Sequence, residues 1–541
     1  MPLAKQHPVR FAPKGLSDAY DSTEAFFGAC RSLSNLVFDR ANPELVICRP
    51  GVGSALTTFS TFTTPTFITV FITIGGVVYG MVASGRNAGH DEPFAYNIAA
   101  NTFTTITGIT SGNTPLSPAT TGPWSPPSMT VVGKKIIVAH AGFSGSGSNF
   151  FGVLDITTPG SPAWSAANLG THALPSVPTW VANFNNRAYF ICGNVVYYSD
   201  SLDPLTATNA GQSLTIGDPS QAYCLVGLPI STTSSGVVQA LLVFKEFQVW
   251  QITGDSALSN LALNYLSLNV GTKAPRSVVQ TPYGTNFMGV DGPYVVDPLG
   301  AVRPLTKAMT DDANQDIQSP FIYCTEPTRV AAGYVGGVYR ICVDTYLASQ
   351  ATVNDYWFDF IRRRWTGPHT WPADCMDQAE NHFIISHRSL GAKLYLSDIF
   401  PDASTVYNDS GAAIAFNLES STFPKDATMT EKQVVESTIE LSSAGAAVSY
   451  TISAIDELRT TLNLIVLTVP GRSAVWGVFI WGFANWSAAL NIPSVYNVNW
   501  TKPLIFQKMA LQVSGTAQNN IAIGSFFARY QDAGYMNQGQ I

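Results

Sequence analysis

Hydrophobic and polar positions along the chain fall into a recurring unit of two short runs rich in Val, Ile, Phe, Tyr and Thr joined by a tight turn. The units lie at residues 67–79 around Gly75-Gly76, at 134–154 with a Gly/Ser loop at 142–148, and at 187–199 around Gly193-Asn194. They continue at 240–253 around Lys245-Glu246, at 286–296 around Asp291-Gly292, at 338–361 and at 382–397. A spacing of about 45 to 65 residues between strand pairs is that of propeller blades. Two units end their second run in similar words, Val196-Tyr197-Tyr198-Ser199-Asp200 and Leu394-Tyr395-Leu396-Ser397-Asp398. Radial stacking explains why such units repeat, because one small sheet cannot cover both of its faces. The pattern predicts an all-β chain with a β-propeller of six or seven blades, the count depending on whether the first unit joins the ring.

The spacing breaks down after residue 402. Beyond it, runs at 434–441, 447–452, 462–469, 475–480, 504–513 and 521–530 predict the strands of a β-sandwich-like domain. The expected division is an N-terminal arm and start of the propeller at 1–55, the propeller at 56–402 and the sandwich-like domain at 403–541. Within the arm, Phe26, Cys30, Leu33 and Leu36 recur near helical spacing and suit an extended segment equally well. The best helix candidate is 306–317, read as a connector between blades.

The uncharged stretch 66–83 reaches the lower length bound for a membrane span, but its β-branched composition and central Gly75-Gly76 predict a hairpin. The apolar stretch 462–490 is broken at Pro470 and Gly471, and its Trp476, Trp481 and Trp486 fit a buried sheet or a subunit contact. No membrane span is expected, and the first 14 residues lack the apolar core of a secretory signal.

Charge narrows the field further. Only 12% of the 541 residues are charged, against about 25% in an ordinary soluble chain. With 29 basic and 36 acidic residues the formal charge is −7, which disfavours a general nucleic-acid binder. The seven cysteines contain no CxxC pair and are odd in number, against both a disulfide framework and a zinc ribbon. No string matches a phosphate-binding P-loop, and the Gly142 to Ser148 loop misses the nucleophile elbow because Ser146 stands where its second Gly belongs. No two of the seven histidines have the spacing of a metal-binding helix, and His90-Asp91-Glu92 is expected to be a solvated loop. No cofactor, metal or catalytic residue is expected.

Paired acids are the feature that would make a propeller a glycoside-cleaving enzyme. Asp200 with Asp203, Asp355 with Asp359, and Asp398 with Asp402 are the candidates by spacing, and strand-end turns account for Asp200 and Asp398. Trp357, Trp365 and Trp371 beside Asp355 and Asp359 form the best carbohydrate-type cluster, so a carbohydrate-binding or glycoside-cleaving propeller involved in host recognition is the alternative function. The densest basic run, Arg362-Arg363-Arg364 followed by Trp365, is the candidate interface; on a strand, alternate arginines face opposite sides, so at most two reach one partner.

Several words, in order, resemble the tail hub or nozzle proteins of short-tailed bacteriophages, the podovirus-type family also called packaged-DNA stabilisation proteins. Ser32-Leu33-Ser34-Asn35-Leu36 followed by Arg49-Pro50-Gly51 is similar to the family's opening arm. Phe184-Asn185-Asn186-Arg187-Ala188-Tyr189-Phe190 with Tyr198-Ser199-Asp200 and Asp203-Pro204, then Val249 to Gly254 with Gly271 to Ser277, then Phe287 to Tyr294, are similar to successive blade hairpins. The resemblance spans about residues 20 to 530. It implies a structural virion protein, six copies of which form a ring under the portal and adaptor, retain packaged DNA and conduct its ejection. Its implied partners are the homo-hexamer, the portal and adaptor proteins, tail fibre or tail-tip proteins and passing double-stranded DNA. Synthesis in the bacterial cytoplasm and residence in the tail follow from the same resemblance. Six copies at −7 each bring about −42 charges to such a ring, and a lumen without dense Lys and Arg lets DNA slide.

Overall fold

The computed structural model describes residues 6–17, 28–42, 44–60, 62, 65–83, 89–117, 125–231, 237–254, 260–305, 319–347, 350–387, 390–401, 405–423, 430–456, 459–471 and 493–532. The chain is all-β and builds a propeller. Six stand-alone four-stranded sheets form its blades. The first is Ile68–Ile74, Val77–Val82, Glu92–Asn97 and Thr102–Thr104, so the first predicted hairpin belongs to the ring. The second runs Ser128–Val132, Lys135–Ala139, Phe151–Asp155 and Ala163–Ala167, and the third Trp180–Phe184, Arg187–Cys192, Val195–Tyr198 and Ser213–Thr215. The fourth is Ala222–Ser231, Val237–Lys245, Val249–Thr253 and Ala262–Ser267; the fifth is Val279–Thr281, Gly284–Met288, Pro293–Val296 and Val302–Pro304.

A further antiparallel meander, Ala331–Val335, Val338–Leu347, Gln350–Asp359 and Arg364–His369, packs between the fifth blade and the last. The last blade, Ala373–Ala379, His382–His387 and Lys393–Ser397, takes its fourth strand from Thr57–Thr58 near the start of the chain. This N-terminal strand closes the circle non-covalently. The innermost strand of each sheet touches that of its neighbour, the last one meeting Ile68–Ile74 of the first blade.

The meander does not end at its fourth strand. It continues into an eleven-stranded sheet through Ala29–Ser34, which contacts Arg364–His369 on one side and Ala412–Ser420 on the other. Beyond lie Ala510–Ala517, Val448–Ile455 and Thr461–Val469. A seven-stranded sheet built on Lys432–Ser443 and Ile521–Asp532 shares one apolar core with it, where Phe11, Phe38, Ile439 and Phe526 meet Leu33, Phe416, Ile452 and Val513. Of the expected 1–55 arm, Gln6–Phe11, Leu36–Phe38 and Val46–Cys48 lie in the seven-stranded sheet, and the segment from Ala29 is strand and not helix. The expected strand at 475–480 with Trp476, Trp481 and Trp486, and the connector helix at 306–317, lie outside the described residues.

Local chemistry explains the turns. Gly75 and Gly76 both take positive φ (55° and 78°), and Asn185 and Asn186 do the same (49° and 57°), the geometry that matches strand twist in a two-residue hairpin.

Candidate functional site

The predicted interface residues sit at the turn joining the last two strands of the meander. Asp359 Oδ1 accepts the backbone N–H groups of Ile361 (2.8 Å) and Arg362 (3.0 Å), which shapes the turn. Arg362 Nη2 donates to the carbonyl of Asp39 at 2.8 Å, tying the turn to the N-terminal segment. Arg363 is exposed with φ 55°, and the stem of Arg364 lies across Gly15, where an added Cβ would come within 2.9 Å of it. Trp365 corrects the expectation. It is fully buried, with ring centroids 5.1 Å from Phe358 and 5.2 Å from Phe321, because strand alternation turns it into the shared core. The surface part of this run is therefore the arginines alone.

A second site emerges where the meander, the last blade and the N-terminal strands meet. Arg49, almost wholly buried, forms a two-pronged ion pair with Asp409, Nη1 to Oδ1 at 3.0 Å and Nη2 to Oδ2, and its Nε donates to Asn35 Oδ1 at 2.8 Å. Asn35 in turn donates to Ala415 O (2.6 Å) and Thr370 Oγ1 (2.9 Å), while Thr370 N–H donates back to Asn35 Oδ1 at 3.0 Å. Nearby, Arg340 pairs with Asp355 at 2.8 Å and donates to Ser397 Oγ (3.0 Å) and Trp371 O (2.9 Å). Trp357 Nε1 completes the shell around Asp355 at 3.0 Å. His369 is buried beside them, and burial together with the charges of Arg49 and Arg340 holds its pKa well below the ordinary imidazole value.

This arrangement removes the expected carbohydrate cluster. Trp357, Trp365 and Trp371 are all buried, and Asp355 is committed to a buried guanidinium. The other paired acids are also engaged in holding structure: Asp200 accepts from Thr208 Oγ1 (2.5 Å) and Gln212 Nε2 (2.9 Å), Asp203 from Leu205 N–H (3.1 Å), and Asp398 pairs with His382. Asp402 lies outside the described residues. The expectation for His90-Asp91-Glu92 is corrected as well, since Asp91 and Glu92 are completely buried. His140 Nε2 donates to Asp91 Oδ2 at 2.9 Å while its Nδ1 accepts Gly142 N–H at 2.9 Å, which fixes the tautomer. The partner stands 49 positions away, so no local pattern announces the pair. Among the described residues no group of three or more His, Cys, Asp or Glu is placed to hold a metal ion, and no helix is long and apolar enough to cross a membrane.

Among the described residues, innermost strands of the propeller border three neighbouring cavities. The middle one, ≈ 350 Å³, is walled by innermost strands and includes Trp180, Arg276, Gln280 and Asp377. Arg276 Nη1 donates to the carbonyls of Thr69 (3.1 Å) and Asp374 (2.9 Å), and Asp377 Oδ2 accepts Thr73 N–H at 2.6 Å. Burial raises the pKa of Asp377. Trp180 also lines a second cavity of ≈ 360 Å³ with Tyr223 and Lys273, and Gln280 a third of ≈ 490 Å³.

No protein-family model matches the sequence, and no curated protein matches it. Among solved structures, the chain is similar to the β-propeller domain of the Trilobed protease from Pyrococcus furiosus, at 11% identity over 62% of this chain and 96% of that one, TM-score 0.33. It is also similar to the extracellular domain of a one-component system from B. thetaiotaomicron (10% identity, 73% of this chain, TM-score 0.31), of which it spans 45%. A third is the GH32 beta-fructofuranosidase BmSUC1 of Bombyx mori (8% identity, 90% of this chain and 94% of that one, TM-score 0.25). The strand pairing itself defines the class: a β-propeller fused through a continuous sheet to a β-sandwich.

Proposed function

We propose that this chain is a structural subunit of a short-tailed phage tail, forming the hexameric hub or nozzle below the portal and adaptor, which retains packaged DNA and serves as the conduit for its ejection. The observation that carries the reading is the junction. Ser32-Leu33-Ser34-Asn35-Leu36 and Arg49-Pro50-Gly51, words similar to the family's opening arm, meet there through Arg49 and Asn35 and bind the propeller to the sandwich. A propeller and a sandwich joined by a continuous sheet suit a part that transmits load rather than one that turns over substrate. Among the described residues, Asp200, Asp203, Asp355, Asp359, Asp398 and Asp409 are engaged in ion pairs and turn-forming bonds, in keeping with a structural role.

Among the described residues, the innermost strands of the propeller wall cavities of ≈ 350, 360 and 490 Å³, too small to pass a double helix through a single propeller. In the proposed assembly the conduit is the lumen between six subunits. The arginine run 362–364, with Arg363 exposed and Arg362 and Arg364 half-buried, is offered as a contact to a neighbouring subunit or an acidic partner. Quantitative peptide mass spectrometry of purified virions from the source tests the reading: one copy of this chain for every two portal subunits is expected, and its absence from the particle overturns the proposal.

A further inference from the structure

The ≈ 490 Å³ cavity at one end of the propeller axis has an unusual lining. Asn183, Asn185 and Asn186 reach it from the first hairpin of the third blade, Gln239 from the fourth blade and Gln280 from the innermost strand of the fifth. Five carboxamide residues from three blades thus line one space, and among the described residues no charged side chain lines it. Its volume falls within the range of about 300–1,000 Å³ typical of small-molecule sites.

The convergence has a local cause. Asn185 and Asn186 both hold left-handed backbone, which Asn tolerates better than most residues, so the turn itself selects asparagines at the rim. Two of the amides are anchored: Asn183 Nδ2 donates to Val131 O at 2.6 Å and Asn185 Nδ2 to Gly254 O at 3.2 Å, each reaching a neighbouring blade. Gly227 forms part of the wall, and a Cβ added to it meets nothing within 4 Å, so the space in front of it is open.

Lining chemistry selects the ligand. A carboxamide offers two N–H donors and one carbonyl acceptor, the complement of neighbouring hydroxyl groups that each donate and accept. An anion calls for Arg, Lys or converging backbone amides, and a cation for carboxylates; the described lining residues include neither Arg or Lys nor any carboxylate. A stacked nucleobase or an apolar side chain needs an accessible apolar face, whereas Phe184, the aromatic residue of the lining, is 3% exposed. We propose that this end of the axis binds the terminal sugar of a neutral oligosaccharide. The inference does not rest on the tail-hub reading and can stand or fall separately from it.

Isothermal titration of the full chain with maltohexaose, cellohexaose and chitohexaose, with a hexagalacturonate and adenosine as contrasting probes, tests it. Binding of at least one neutral hexasaccharide is expected, and the double change Asn186→Gly with Gln280→Ala, in which glycine keeps the left-handed backbone at 186, weakens it by roughly tenfold or more, as loss of two hydrogen-bonding groups requires. Gly227→Leu, which fills the space without removing an amide, weakens it as well, and the melting curves of both variants stay close to that of the parent chain. No binding of any neutral hexasaccharide at about 10 mM, a concentration that detects even millimolar affinity, overturns the proposal. So does binding that both variants leave unchanged, or tighter binding of the galacturonate or of adenosine.

Discussion

Arg49 and Asp409 stand 360 positions apart and form a bidentate ion pair out of reach of bulk water, Arg49 being 2% exposed and Asp409 11% at the side chain. The pair fastens the N-terminal strands to the segment that leaves the last blade. Removing one partner strands a buried charge, so Asp409→Ala is expected to destabilise the fold by about 3–5 kcal/mol. The double change Arg49→Met with Asp409→Leu is expected to recover much of that loss. Urea unfolding of the three chains checks both; a loss near zero in the single variant shows that the pair does not hold the junction.

Trp365 and Arg363 lie two positions apart, and they should respond oppositely to truncation. Trp365→Ala opens a cavity among Phe321, Tyr339 and Phe358 and is expected to cost about 3–5 kcal/mol. Arg363→Ala removes an exposed side chain and is expected to change stability by no more than about 0.5 kcal/mol. Thermal melting of the two variants reads the difference directly.

Acid should weaken the junction through His369. Its folded pKa is held well below 6.5, so the native imidazole stays neutral while the unfolded chain takes up a proton near that value. As pH falls through 6.5 the unfolded state binds more protons, and stability present above that pH is lost. The loss from one such group approaches about 1.4 kcal/mol per pH unit. His369→Gln is expected to flatten the dependence of the urea midpoint between about pH 7 and 5. Equal slopes in parent and variant would contradict this account.

Thiol reactivity gives a fourth test. Cys48 and Cys192 are buried, and desolvation pushes their thiols up to about 12 and about 11. Cys30, Cys224, Cys342 and Cys375 are also buried, whereas Cys324 is partly exposed. Alkylation near pH 8 followed by peptide mapping is expected to label Cys324 first and the other six only after unfolding.

Middle strands of the blades were legible because both of their faces are covered. Arg187–Cys192 is buried at every position and reads as an almost unbroken apolar run, and in most sheets the predicted hairpin is the central strand pair. Outer strands such as Thr102–Thr104 are short and partly exposed, so they leave no hydrophobic trace. Thr57–Thr58 is equally silent, since its role as closing strand depends on a partner in the last blade. At the junction, Asn35 and Arg49 appear in the sequence as isolated words; their shared purpose needs Asp409 and Thr370, which no local pattern supplies. Trp365 reads as surface in the sequence because an aromatic beside three arginines resembles a surface patch until strand alternation is fixed.

The pairing of Gln6–Phe11 with Ile521–Asp532 sets a timetable for the newborn chain. At about 5–20 residues per second, the first strand waits on the order of half a minute to two minutes before its partner leaves the ribosome. Throughout that interval a strand edge carrying Val9 and Phe11 has no mate, and crowded polysomes carry many copies of it. Fast decoding of the 3′ half of the message, or a chaperone that shields the early segment, would therefore shorten or cover the exposure of that edge.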